Sequence, residues 1–251
     1  MKKIFKFGLI ISIALFCYML LVSCGIEDYP FIYPIPQSNV QQVLNNRSVV
    51  RIPDDNSATT FSHFAIYYKI YISGSDQPST TSDASYSAIS QSLASDHNAA
   101  KSHIDSTTYV SVNMDSFFSG RGFYQINLDG HNISEVLSTS VLGSSLEFDF
   151  PSRRVPTMTV GSSVYTLWRS TGNERFSPLP DRRFVNSEDL RNNANIDPSI
   201  NADVVDITGQ GDRRYTYAAL YIVAVGINMS TYSFIYSTPA LIHVFQLPDR
   251  W

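Results

Sequence analysis

Along HFAIYYKIYIS, residues 63–73, Phe64, Ile66, Tyr68, Ile70 and Ile72 alternate with Ala65, Tyr67, Lys69, Tyr71 and Ser73. A period of two predicts a β-strand. The first set is expected to face a core, and the second, aromatic but wettable, to face outward. Upstream, SVVRIP reads as a short strand stopped by Pro53, with the polar DDNSATT as a turn. Near the other end, the run from Tyr217 to Ile227 is apolar, aromatic and β-branched, INMSTYS turns, and FIYSTPALIHVF returns. That order predicts a hairpin. Because Pro239 has no N–H for a sheet ladder, the returning strand is expected at an edge or broken by a bulge there.

Between these regions the period changes. Tyr86, Ile89, Leu93, His97, Ala100 and Ile104 recur at steps of three and four, which places them on one face of a helix lying across the sheet. Ser82 or Thr81 would cap it, and Asp83 suits its positive end. TYVSVNM, FYQINL, SLEFDFP, TMTV and SVYTLW then read as further strands, and residues 177–206 as a long irregular connection. The fold class expected is mainly β.

Tyr221, Val223 and Val225, a turn, Ser237-Thr238-Pro239 and the alternating Leu241, His243 and Phe245, preceded by the tyrosine-rich strand at 64–72, resemble the fibronectin type III and immunoglobulin-like sandwiches. The resemblance implies that these strands are the third and the last two of a sandwich. On that reading residues 46–251 are a β-sandwich domain, with a large insertion at about 74–212 carrying one α-helix.

The chain begins with Lys2, Lys3 and Lys6 and continues through FGLIISIALFCYMLLV, the basic-then-apolar order of an export signal. The run sits near the lower length limit for a transmembrane anchor and no basic cluster follows it, so a removed signal is the expectation. Leu21-Val22-Ser23-Cys24 resembles the lipobox of bacterial lipoprotein signals. That resemblance implies cleavage between Ser23 and Cys24, a diacylglycerol thioether on Cys24, and acylation of the new amino terminus. Lipidation with two or more acyl chains holds a protein stably on a bilayer. The lipobox and the FAIYYKIYIS tract together are similar to lipoproteins of spirochaetes, a resemblance that supplies no further site residues. Residues 24–45, with Pro30, Pro34 and Pro36 among aromatics, are expected to form an extended tether running onto the domain surface.

Composition sharpens these expectations. The chain has two cysteines, Cys17 inside the signal and Cys24 under lipid, so the mature chain would keep no thiol for a disulfide, a nucleophile or a zinc site. Loss of the three signal lysines leaves 15 basic against 22 acidic residues, a net charge of −7, which disfavours a nucleic-acid partner. Arg153-Arg154, Arg182-Arg183 and Arg213-Arg214 read as solvated charge or local ion pairs.

No catalytic, cofactor or metal pattern emerges. His97 and His103 are six residues apart, unlike a helical chelating pair, and His63, His131 and His243 have no ligand-type neighbour at a diagnostic spacing. Gly-x-Ser-x-Gly is absent. Glu147 and Asp149 share a strand face and read as an edge-strand charge pair, and Gly209-Gln210-Gly211 lacks the lysine and helix of a phosphate loop. The expected function is a non-catalytic binding or interaction module of the cell envelope, held on a bilayer through acylated Cys24 and facing a protein or glycan partner. A structural or assembly component of the envelope is the second expectation, and an enzyme with a site assembled from distant residues the third.

Overall fold

The computed structural model describes residues 32–44, 46–56, 60–74, 83, 118–151, 154–170, 202–208, 212–229 and 232–247. The chain divides into Met1–Pro30 and Phe31–Trp251, and every described residue belongs to the second unit. The predicted helix over residues 84–104 and the TYVSVNM strand lie outside the described residues.

The described chain is mainly β, in two sheets. Its strands are β1 (Val40–Leu44), β2 (Arg47–Arg51), β3 (Phe61–Ser73), β4 (Tyr124–Gln125), β5 (Asn127–Leu128), β6 (Ser145–Asp149), β7 (Thr157–Val160), β8 (Ser163–Trp168), β9 (Val204–Asp206), β10 (Tyr215–Asn228), β11 (Ser233–Tyr236) and β12 (Ala240–Gln246). One short helix, α1 (Ile133–Val136), separates β5 from β6; Asn132 caps it by accepting from the Ser134 N–H. The first sheet runs β1-β2-β6-β7-β8-β5, with antiparallel pairing throughout. In the second, β3 and β10 pair antiparallel from Phe61 to Ser73. β11 and β12 share the far edge of β10, while β4 and the parallel β9 share the far edge of β3.

The two sheets share one core. Phe64, Ile66, Tyr68 and Ile70 of β3 and Ala218, Leu220 and Ile222 of β10 pack with Val50, Leu146, Phe148, Met158 and Leu167 of the first sheet. On β6, Leu146 and Phe148 point inward while Glu147 and Asp149 stay half-buried on the other face, the alternation of a sheet with one wet side. The second sheet differs. Ala65, Tyr67 and Tyr71 of β3 and Tyr217, Ala219, Tyr221 and Val223 of β10 are buried in a second cluster with Phe118 and Phe123. The outer face of β3, expected to be wettable, is therefore covered: Tyr67 stacks on Phe118 at 4.1 Å, and Phe123 meets Tyr221 edge-on at 5.4 Å. Alternation on one strand reports its two faces but not what a distant segment lays over them.

The interval 74–212 supplies β5 to β8, four of the six strands of the first sheet. The segment expected as a tether joins the fold before its end: Ile32 and Ile35 are buried in the shared core and Val40–Leu44 is an edge strand. Its prolines precede that strand, where a missing N–H costs nothing. At Pro239 the returning chain does break into β11 and β12, and β12 carries a bulge opposite Leu220 and Tyr221. The Gln37 side chain clips that strand twice, donating to the Leu241 carbonyl at 2.8 Å and accepting from its N–H at 3.1 Å. Such a clip closes an edge that would otherwise offer unpaired backbone groups.

Gly226 fixes where the chain enters the domain. A Cβ there would collide with the side chain of Ile32 and lie 2.5 Å from the Thr60 carbonyl oxygen. The backbone oxygen cannot step aside as a flexible side chain could. Gly226→Ala is expected to cost about 1–3 kcal/mol through overpacking, read as a lower urea midpoint with an unchanged slope; an unchanged midpoint would show that Ile32 is not seated against β10.

Candidate functional site

Three buried side chains, Arg169, Asp203 and Tyr68, form a polar staple between the sheets. Arg169, just after β8, reaches Asp203, just before β9, with Nε to Oδ2 at 2.8 Å and a terminal nitrogen to Oδ1 at 2.6 Å. Tyr68 of β3 donates to the same Oδ2 at 2.8 Å, and Asp203 is 1% exposed. A two-pronged arginine–carboxylate contact is among the strongest charge-assisted hydrogen bonds. Burial pushes the Tyr68 phenol well above its ordinary value, and the Asp203 charge pushes it further. Burial would lower the Arg169 guanidinium, but Asp203 outweighs it and holds the group above its usual range.

The raised phenol has a stability consequence. Tyr68 keeps its proton in the folded chain at a pH where an unfolded tyrosine, titrating near ~10, gives its proton up. The stabilisation is thus complete below that pH and is lost as pH climbs toward the folded value. Urea midpoints measured from neutral to strongly alkaline pH are expected to fall more steeply for the wild type than for Tyr68→Phe; parallel curves would contradict this.

On the other face of β3, Lys69 is also buried. Its Nζ lies 2.8 Å from Asp83 Oδ2, donates to the Arg121 carbonyl at 2.7 Å, and sits 5.3 Å from the Phe123 ring centre. This lysine ties the turn before Phe123 to the sheet. Arg213 and Arg214 pair with Asp206 and Asp212 respectively, the local ion pairs expected of such doublets. Burial raises the Asp206 carboxyl, but hydrogen bonds from Thr208 and the Arg213 contact overcome that and bring it below its usual range. Arg154 is exposed, and Arg153 and Arg182-Arg183 lie outside the described residues.

The remaining candidates do not converge. Glu147 pairs with Arg47 across β2 and β6; β6 is an interior strand, so the carboxylates at 147 and 149 are not an edge device. His131 is exposed and edge-on to Tyr165 at 5.1 Å, His243 is edge-on to Phe245 at 4.9 Å, and His63 Nδ1 is 3.0 Å from the Ser62 hydroxyl. Among the described residues no group of three His, Cys, Asp or Glu is placed to hold a metal ion. Ser23, Cys24, His97, His103 and residues 209–211 lie outside the described residues.

One feature of the surface stands apart. At the β10–β11 turn Met229 is 60% exposed, Tyr232 81% and Phe234 53%. Phe234 shares its side of β11 with Tyr236, ring centres 6.4 Å apart, while Ile235 between them points into the core. Tyr232 has φ 52°, a left-handed backbone that asparagine or glycine adopts at lower cost than an aromatic residue. Its N–H bonds the Asn228 carbonyl at 2.7 Å and closes the turn, while the ring projects into solvent. Stability does not call for tyrosine here. Tyr232→Gly is expected to leave the thermal midpoint unchanged or slightly higher, relief of strain offsetting the entropy of glycine at about 1 kcal/mol each; a fall of several degrees would mean that the ring packs on the fold.

The tip was legible only as a turn, since INMSTYS does not say which of its side chains stay outside. A further signal was available in the sequence: no Asp, Glu, Lys or Arg occurs between Arg214 and Asp249, so the hairpin lacks the charges that usually keep exposed apolar turns in water. No family model, no curated protein and no solved structure matches the chain.

Proposed function

We propose that the chain is a lipid-anchored protein of the bacterial cell envelope, whose domain stands outside the cytoplasm and acts without catalysis as a binding or interaction module. The reading is carried by the ordered basic, apolar and Leu-Val-Ser-Cys segment placed just ahead of a folded domain: Cys24 lies eight residues before Ile32, which is fixed in the core. Acylation of Cys24 then holds the domain close to the bilayer. The module reading draws support from where the polar side chains go, since the buried arginine and aspartate satisfy each other across the sheets and the exposed apolar residues gather at hairpins. Val43 and Leu44, 45% and 59% exposed at the β1–β2 turn, offer a second such contact, suited to a protein or glycan partner.

Strand order also favours the finer fold reading. The tyrosine-rich β3 lies beside β10, and β10 beside β12, the neighbours that a third strand and the last two strands have in a fibronectin III-like or immunoglobulin-like sandwich. Protease added to spheroplasts tests the location. The domain is expected to be digested while a cytoplasmic marker stays whole; a domain protected until lysis would place it in the cytoplasm and end the proposal.

A further inference from the structure

The start of the described chain and the exposed hairpin tip lie at one end of the domain. Ile32, the first described residue, packs directly against Gly226, two residues before Asn228, whose carbonyl holds Tyr232. Tyr33, 43% exposed, is fastened beside it through its N–H to Asn56 Oδ1 at 2.8 Å. The Ile227 N–H bonds the Thr60 carbonyl at 2.8 Å, joining the start of β3 to the same end. The eight residues from Cys24 to Ile32 span at most about 28 Å when fully extended. A lipid on Cys24 therefore keeps this end of the domain within reach of the bilayer, whatever the course of the intervening chain.

We infer that the β10–β11 tip, through Met229, Tyr232 and Phe234, is a second membrane contact that enters the bilayer interface and fixes how the domain stands on it. This rests on the anchor reading of Cys24. The chemistry suits that occupant: aromatic side chains favour the headgroup boundary, where an apolar ring and a phenol both find their medium, and the hairpin carries no charge that would have to be desolvated. A single lipidated residue at the end of a short chain restrains distance but not orientation. A tip inserted beside it restrains both. The left-handed Tyr232, held at an energetic disadvantage where the fold gains nothing from its ring, is accounted for by a role outside the folded chain.

Depth-dependent quenching tests this with the full-length lipoprotein. The chain is reconstituted into phosphatidylethanolamine and phosphatidylglycerol vesicles whose acyl chains carry bromine, after attaching a thiol-reactive fluorophore to Tyr232→Cys. Val164→Cys, on the exposed side of β8, is the reference, and mass spectrometry of the amino-terminal peptide from the same sample reads acylation of Cys24. Quenching at position 232 is expected to exceed that at 164 by about twofold or more, as for a group seated at the acyl boundary, and adding Phe234→Ser should reduce it. An acylated chain with equal quenching at the two positions overturns the inference and leaves the anchor standing. A chain without acyl groups on Cys24 overturns both.

Discussion

Replacing Asp203 by asparagine is expected to lower the folding stability by about 3–5 kcal/mol, the cost of breaking a buried, two-pronged ion pair. Arg169 cannot shed its proton to escape, and its side chain is only 5% exposed. The contact links the end of β8 in the first sheet to β9 and β3 in the second, so its loss acts where the sheets are held together. For a domain of this size the thermal midpoint should fall on the order of 10 °C. Removing both charges tells a different story: Arg169→Met with Asp203→Leu should lose much less than the two single changes added, because an apolar pair of similar volume escapes the desolvation that an ion pair suffers. A single Asp203→Asn change within about 1 kcal/mol of wild type would show that the staple is not what joins the sheets.

The strands were readable because their signals are local. FAIYYKIYIS and the run from Tyr217 to Ile227 each carry enough β-branched and aromatic residues to mark a strand, and both occur as the two longest strands, paired along their length. SLEFD, TMTV and SVYTLW were equally plain. Their partners were not. Nothing within SLEFD says that it pairs with Arg47–Arg51, roughly a hundred residues earlier. β9 was missed for a related reason: Val204-Val205-Asp206 is too short for a periodic signal and is a strand only because β3 offers it a parallel edge.

The site was legible in part, and along the same division. Arg169 and Asp203 are 34 residues apart, and Tyr68 is a further hundred or more residues from either, so no spacing rule connects them. Lys69 read as the polar tip of an outward face and is instead enclosed by Phe123, Tyr71 and Asp83. The hairpin tip is a case where the sequence held the relevant fact, a long uncharged run, but not the exposure that gives it meaning. The lipidation proposed at Cys24 is the reverse, a reading carried wholly by the order of neighbouring residues.

Cys24→Ser removes the thiol on which that order turns, and the effect expected is the largest of all. Each buried methylene contributes about 0.8 kcal/mol to membrane binding, so acyl chains on Cys24 would outweigh the contact proposed for the hairpin tip. Export without lipid transfer should leave the first 23 residues in place, and the chain heavier by that segment and lighter by its lipid. The decisive measurement is incorporation of radiolabelled palmitate by cells expressing the wild type and Cys24→Ser. A strongly labelled wild-type band and at least about a tenfold loss of label in the variant are expected; label retained at the wild-type level by Cys24→Ser, or absent from both chains, would overturn lipidation at Cys24.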